Sequence, residues 1–380
     1  MSNLKQEDLE PILDQVKRFI EQDVEPIVAQ HEVIATPLQV KSLMKSALNM
    51  GILDGGFDMG ISIWENPNDH LSRVLSTQLL SLLSETNVGI AYQCHQYALT
   101  QWLRNELGLI RENVDVLDTT TISIQGHYGL ARYSLANYLK GKTTQDDMAV
   151  LSDYFNASEL SPCHVHGLDW DTLLAPVLDK NGVIQWQLLA TDSLNRTEYK
   201  HSHGFDEVST WKWSRMTNNQ VVINETSIKP KESKQLLTRL YAMNSLGLMS
   251  IAQGSIKHAL SMAKEYCSIR VQGGKTVINH PAVQTLLAQV SYFVYMANIQ
   301  VQSACTREAF EDLGVLSLMR SNLHSEACKA VNNALQCFGG IGYMQDNGIE
   351  KVVRDNNHLR LLNGTPTELK LFAAAWENYA

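Results

Sequence analysis

No uninterrupted apolar run in this chain of 380 residues approaches the roughly 20 residues a helix needs to cross a bilayer, so no membrane span is expected. Cysteine is sparse and unpatterned. The six residues (Cys94, Cys163, Cys267, Cys305, Cys328 and Cys337) form no CxxC pair, and most sit in apolar helical contexts where a thiol acts as a small hydrophobe. Basic residues are too few for a broad nucleic-acid surface: 31 Lys and Arg stand against 40 Asp and Glu, a net charge of -9. That balance leaves room for a local basic patch around a phosphorylated ligand. The opening MSNLKQEDLEPIL has no basic segment leading into a long apolar one, so no secretory leader is expected and the chain reads as cytoplasmic. Nucleophile elbows, Walker loops and Rossmann fingerprints are also missing.

What is present is an ordinary globular composition, 44% hydrophobic and 19% charged, long enough for two or three packed subregions. Helical periodicity dominates up to about residue 159. Leu9, Ile12, Leu13, Val16, Phe19, Ile20 and Val24 form one stripe that Glu25-Pro26 is expected to close. Leu79–Leu83 and Ile90–Leu103 predict two buried helices, and Tyr128–Leu139 a further one stopped by Gly141. After Ser161-Pro162 the pattern turns to strand. Thr172–Val177 and Val183–Ala190 flank an Asn181-Gly182 turn, a hairpin signal, and Trp211, Trp213 and Gln220–Ile223 add strand candidates. From Gln235 the chain is helical again, in long segments at 236–248 and beyond, 283–301, 316–338 and 368–376. This is an α+β order: an N-terminal helical domain over 1–160, a small β domain over 161–230 and a C-terminal helical bundle over 231–380.

The most specific stretch is Leu335–Thr365, LQCFGGIGYMQDNGIEKVVRDNNHLRLLNGT. A helical apolar pattern runs into Gly339, Gly340 and Gly342, which free the backbone for a ligand's approach. A second apolar segment carries Arg354-Asp355, and an Asn363-Gly364-Thr365 turn follows. This order resembles the C-terminal signature of the acyl-CoA dehydrogenase family: LQ-x-x-GG-x-GY, an E-R-x-x-RD segment, then an EGT turn. Arg270–Gln284, RVQGGKTVINHPAVQ, is similar to a second family motif, with Arg270, Gln272, Gly274 and Gln284 matching in register. Leu237-Thr238-Arg239 resembles a helix start that carries a Thr-Arg pair in medium-chain members.

The resemblance implies a flavoprotein oxidoreductase acting on the CH–CH group of an acyl thioester in fatty-acid metabolism, with FAD as cofactor. Gln336, Gly339, Gly340 and Thr365 match positions around the FAD pyrophosphate and adenosine; Arg270 and Gln272 match residues reaching over from a neighbouring subunit. Arginine suits a pyrophosphate because its planar fork donates two hydrogen bonds at once. The family's proton-abstracting glutamate occupies one of two places, which here correspond to Asn363 and, beside Arg239, to Thr238. Neither an amide nor a hydroxyl is a base near neutral pH. The catalytic residue is therefore unknown, with Glu368 and Asp355 as substitute carboxylates. For Asp355 the plainer reading is a helix-end hydrogen bond, and for Glu368 a favourable place in a first helical turn. Gly273 replaces the family's aromatic. The family's TEP-x-x-GSD and W-I-T segments, which contact the flavin ring and acyl-CoA, have no counterpart, and roughly 30–40 residues of the β domain are missing by that comparison.

Cys163, His164 and His166 have metal-ligand types at alternating positions, and His201 and His203 repeat the spacing. No partner cluster supports a site, so they read as ordinary polar residues and no metal is expected. His127 falls in a helical region. The expected ligand is an acyl-CoA or acyl-carrier thioester. The long helices are apolar on more than one face, and the resemblance implies a homotetramer or a heteromer with a paralogous subunit. The alternative is a catalytically altered member, poor in FAD or free of it, that supports an active paralogue or performs non-redox chemistry.

Overall fold

The computed structural model describes residues 5–29, 34–53, 62–109, 120–124, 132–165, 171–199, 204–215 and 222–377. The first stripe forms α1 (Leu9–Phe19), whose buried face is Leu9, Ile12, Val16 and Phe19. Pro26 does not end it. A π-helical turn over Ile20–Val24 absorbs the register change, and Pro26 opens the next turn, α2 (Glu25–Val28), where its missing N–H costs little. Helix α3 (Pro37–Asn49) starts on a capping box, Thr36 accepting from Gln39 N at 3.3 Å and Gln39 Oε1 from Thr36 N at 2.8 Å. Helices α4 (His70–Thr86) and α5 (Val88–Glu106) follow, split by Asn87, whose side chain caps α5 through Ile90 N at 2.9 Å. Every residue of α5 from Val88 to Leu103 is buried, so this helix runs through the interior.

A strand appears inside the stretch read from the sequence as helical. β1 (Thr120–Ile122) is only three residues long, too short for a period-2 signal, and it pairs in parallel with β3 (Thr172–Leu178). Two helices intervene, α6 (Arg132–Leu139) and α7 (Gln145–Phe155), before β2 (Glu159–Val165). The hairpin forms as expected between β3 and β4 (Ile184–Ala190), in register from Thr172↔Ala190 to Leu178↔Ile184. Its turn is organised by Asp179, whose Oδ1 accepts from Asn181 N at 2.8 Å and Val183 N at 2.9 Å. β5 (Leu194–Tyr199), β6 (Ser209–Arg215) and β7 (Val222–Glu225) complete two small sheets, ordered β1-β3-β4-β7 and β2-β6-β5.

The bundle is organised by α8 (Pro230–Ile269), a 40-residue helix with Pro at its start. A two-strand ribbon, β8 (Val271–Gln272) and β9 (Lys275–Thr276), turns the chain into α9 (Pro281–Ala304). Short α10 (Arg307–Glu311) leads to α11 (Leu313–Phe338), capped by Asp312 through Val315 N at 3.1 Å. Helices α12 (Ile349–Leu359) and α13 (Pro366–Glu377) close the fold, and α11 packs against α8, α9, α12 and α13. No described helix is long and apolar enough to cross a membrane.

Candidate functional site

Helices α8 and α11 end side by side. Tyr266 stacks on Phe338 with centroids 4.4 Å apart and planes at 19°, and the Cys267 thiol lies 3.8 Å from the Cys337 carbonyl oxygen. Beyond this contact both chains turn outward. Arg270 and Gln272 are exposed on the ribbon, which is braced by Val277 N donating to Arg270 O at 2.7 Å and by His280 Nε2 lying 3.0 Å from Gln272 O. Gln336, Gly339 and Gly340 are exposed at the end of α11. Gly339 has φ 62° and ψ -143°, a region that only glycine occupies readily, rather than the left-handed helical cap its position suggests. A Cβ built on Gly339 or Gly340 meets nothing within 4 Å, so their backbone faces open space.

Thr365 does not join this group. It sits at the start of α13, where its hydroxyl accepts from Glu368 N at 3.3 Å while Glu368 Oε2 accepts from Thr365 N at 2.7 Å. Glu368 is thus spent on a capping box. The turn before it is pinned by Arg320 of α11, fully buried, whose Nη1 donates to Asn363 O at 3.0 Å and whose Nη2 donates to Leu362 O. Asn363 has φ 46° and is buried. Arg320 lies nineteen residues before Gly339 on one helix, so at 1.5 Å per residue the two places are about 28 Å apart. The grouping expected from the sequence is therefore redrawn: Arg270 and Gln272 belong with Gln336, Gly339 and Gly340 in one chain, and Thr365 and Asn363 lie at the other end. Sequence order hid this, because it is the side-by-side ending of α8 and α11 that brings the two segments to one end of the bundle.

The second base position is equally occupied. Thr238 donates to Lys234 O of its own helix at 2.8 Å, and Arg239 pairs with Glu106 at 3.8 Å.

Asp355 lies mid-helix in α12, so it does not hold a helix end. Its Oδ1 accepts from Phe205 N at 2.7 Å and its Oδ2 from Lys351 Nζ at 2.7 Å. Lys351 also reaches Glu207 at 3.1 Å, and Glu207 accepts from Asn87 Nδ2 at 2.8 Å. Burial pushes the Asp355 carboxyl above its usual range despite the ammonium beside it. The adjoining segment carries Asp206, paired with Arg354. Burial alone would raise its carboxyl pKa, but the hydrogen-bonded guanidinium outweighs that and holds it below the ordinary value. Phe205, with φ 58° and no exposure, packs on Tyr92 and His358. Arg354 and Asp355 thus dock the loop between β5 and β6 onto the bundle.

One polar chain escaped the sequence altogether. Trp64 Nε1 donates to His95 Nδ1 at 2.9 Å, and His95 Nε2 faces Asn244 Oδ1 at 3.2 Å. Because Nδ1 accepts, the proton sits on Nε2, and the imidazole is neutral. Burial lowers its pKa to about 3. The residues are 31 and 149 positions apart, so no local pattern could have joined them.

Cys163 and His164 lie in β2; His127, His166, His201 and His203 fall outside the described residues. Among the described residues no group of His, Cys, Asp and Glu is arranged to hold a metal.

Residues 237–374 match the model of the acyl-CoA dehydrogenase C-terminal domain. The chain is 28% identical over 131 residues to the rat mitochondrial very long-chain specific acyl-CoA dehydrogenase, covering 34% of this chain and 20% of that protein. It is 28% identical over 123 residues to 3-sulfinopropanoyl-CoA desulfinase of Cupriavidus necator, covering 32% and 30%. The match thus spans between a fifth and a third of these relatives' length. In fold the likeness runs the length of the chain: glutaryl-coenzyme A dehydrogenase in its glutaryl-CoA complex superposes with a TM-score of 0.73 at 16% identity, over 100% of this chain and 97% of that one.

Proposed function

We propose that the chain, whose residues 237–374 match the acyl-CoA dehydrogenase C-terminal domain, is an acyl-CoA dehydrogenase-like flavoprotein. Its ligands are FAD and an acyl-CoA or acyl-carrier thioester, and its reaction class is oxidation of a CH–CH pair in the acyl chain. The observation that carries this reading is the exposed end of the bundle. Arg270 and Gln272 are exposed at the same end of the bundle as Gln336 and the open backbone of Gly339 and Gly340. A guanidinium, two amides and an unobstructed main chain fit a pyrophosphate. These residues would hold the ADP end of the dinucleotide, whose flavin supplies the redox chemistry when bound.

Such an exposed site needs a second surface. Tyr292, Tyr295 and Ile299 of α9 and Leu318 of α11 are exposed apolar residues on neighbouring helices, away from the Gly339 end, and they support pairing of subunits through these helices. Such pairing is what a homotetramer or a heteromer with a paralogous chain would use.

A second reading is favoured by the other end of the bundle. Asn363 and Thr238 carry no carboxylate, Glu368 caps its own helix and Asp355 is locked by Lys351 and Phe205 N. No proton-transfer step is assigned to any of them. On this reading the chain is an altered member that supports an active paralogue or performs non-redox chemistry. The desulfinase named among its relatives supports the idea of a changed reaction on this scaffold.

An absorbance spectrum of the purified protein tests the first reading. Bound flavin that bleaches on addition of acyl-CoA supports it, and a colourless protein that takes up no added FAD sinks it.

A further inference from the structure

Helices α8 and α11 end on a pair of thiols. Cys267 is the third residue from the end of α8, and Cys337 is the last but one of α11. They lie 70 positions apart in sequence, yet the Cys267 thiol donates to the Cys337 carbonyl at 3.8 Å. The two thiols face each other closely enough that each bears on the other's ionisation. Their neighbours hold this approach: Tyr266 stacks on Phe338, and its hydroxyl donates to Phe338 O at 3.5 Å. The other described thiols face different groups. Cys94 meets Met44 Sδ at 3.9 Å, Cys305 meets Thr77 Oγ1 at 3.8 Å, and Cys328 donates to Asn356 O at 3.5 Å.

Both thiols are buried, Cys267 fully and Cys337 to 5% exposure. Burial raises both, and it pushes Cys337 up to about 12, with the Cys267 thiol beside it adding to the rise. At rest the pair is protonated and reacts slowly. Its place in the fold supplies the access. Ser268, Ile269 and Arg270 on one side and Gly339 and Gly340 on the other are exposed. Loosening the last turn of either helix, the part that opens at least cost, bares one thiol while its partner stays close. Once one sulfur is captured, the second attack is intramolecular and correspondingly fast.

We propose that Cys267 and Cys337 form a reversible disulfide that staples α8 to α11, a redox-sensitive modification site at the end of the bundle. It needs neither FAD nor an acyl thioester, so it stands apart from the flavoprotein reading. The oxidant is a low-molecular-weight disulfide. One cysteine thiolate attacks it, its S–S bond breaks, and the first reagent thiolate leaves and takes up a proton. The second cysteine thiolate attacks the mixed disulfide, the Cys267 Sγ–Cys337 Sγ bond forms, and the second reagent thiol leaves. The cysteine pair is oxidised and the reagent is reduced to two thiols. The closed loop takes in α9, α10 and nearly all of α11.

Incubating the full-length protein with glutathione disulfide at about pH 8, where more thiolate is present, and mapping its peptides without reduction reads the bond directly. The expected product is one cross-linked peptide pair joining Cys267 to Cys337, lighter than the reduced pair by two hydrogens and released by dithiothreitol. Because a long loop is closed, the melting temperature is expected to rise by roughly 3–8 °C on oxidation and to fall back on reduction. Cys267→Ala and Cys337→Ala are expected to lose both the bond and the rise; if either variant fails to fold, the peptide map of the parent decides. Glutathione retained on either cysteine without a cross-link, both thiols still free, or bonds from these cysteines to others overturn the pairing. A Cys267–Cys337 bond that leaves the melting temperature unchanged overturns the staple, as does a folded variant that keeps the full rise.

Discussion

The Arg354 guanidinium grips the Asp206 carboxylate through two parallel hydrogen bonds of 2.7 and 2.9 Å, and with its remaining donors holds Glu350 at 2.7 and 3.1 Å. One side chain thereby fastens the loop between β5 and β6 to α12. Only a planar fork matches two carboxylates in this way. Arg354→Lys keeps the charge and is expected to cost about 1–2 kcal/mol, and Arg354→Ala about 2–4 kcal/mol, because Asp206 is left half-buried without its partner. Urea midpoints of the two variants check this, and equal stability for both would show that geometry contributes nothing beyond charge.

Lys351 sits between two buried carboxylates, Glu207 at 3.1 Å and Asp355 at 2.7 Å. Lys351→Met removes the ammonium that bridges them and is expected to destabilise by about 3–5 kcal/mol. The loss has a pH signature. Burial works against the ammonium, yet Asp355 and Glu207 outweigh it and raise the folded pKa of Lys351 above its usual value. Its contribution is therefore complete below its unfolded pKa, about 10.4, and fades as pH rises through the higher folded value. Asp355 also has a raised folded pKa, so protonating it relieves the variant, and Lys351→Met is expected to lose less stability near pH 4 than at pH 7. Thermal melts at the two pH values decide it.

His95 gives the opposite slope. Its folded pKa, lowered to about 3 by burial, lies below the unfolded value of about 6.5. The unfolded chain therefore takes up the proton first, and stability is present above about pH 6.5 and lost as pH falls toward the folded pKa. His95→Phe is expected to flatten this slope while costing about 2–4 kcal/mol at pH 7, since Trp64 Nε1 loses its acceptor and Asn244 Oδ1 keeps only the longer bond from Gln96 Nε2. Denaturation curves between pH 4 and 7 measure both. An unchanged slope in the variant would remove His95 as its source.

The sequence shows the bundle better than the site. Long apolar periods at 283–301 and 316–338 placed α9 and α11 within a turn or two of their ends, because burial on a helix repeats every few residues. The hairpin at Asp179–Gly182 was legible for the same reason, its chemistry being local. β1 was not, since three residues pairing with Thr172–Leu174 across a separation of about fifty carry no signal of their own. The candidate site residues expected together fall at two ends of the bundle, Thr365 and Asn363 at one and Gln336, Gly339 and Gly340 at the other. Arg270 and Gln336 come to the same end of the bundle because Tyr266 and Phe338 stack, and Asp355 meets Phe205 because a segment with a positive φ presents its N–H. Contacts between distant segments are set by packing, which a single chain of letters does not display.

Two glycines separate packing from ligand access. A Cβ on Gly254 would lie 2.1 Å from the Ser81 carbonyl oxygen and 2.1 Å from Ser84 Oγ, so α8 and α4 touch there backbone to backbone. Ser81 O is main chain and cannot swing aside, so Gly254→Ala must push the helices apart, at an expected cost of about 2–4 kcal/mol or more. A Cβ on Gly340 meets nothing within 4 Å. Gly340→Ala is therefore expected to melt within a degree or two of the parent, about the shift that 0.5 kcal/mol brings in a chain of this size. It places a methyl on the surface where the ADP moiety is to lie, and is expected to weaken ADP about tenfold. Differential scanning calorimetry with and without ADP reads both effects in one experiment. The assignment fails if Gly340→Ala melts early, or if ADP raises its melting temperature as much as it raises the parent's.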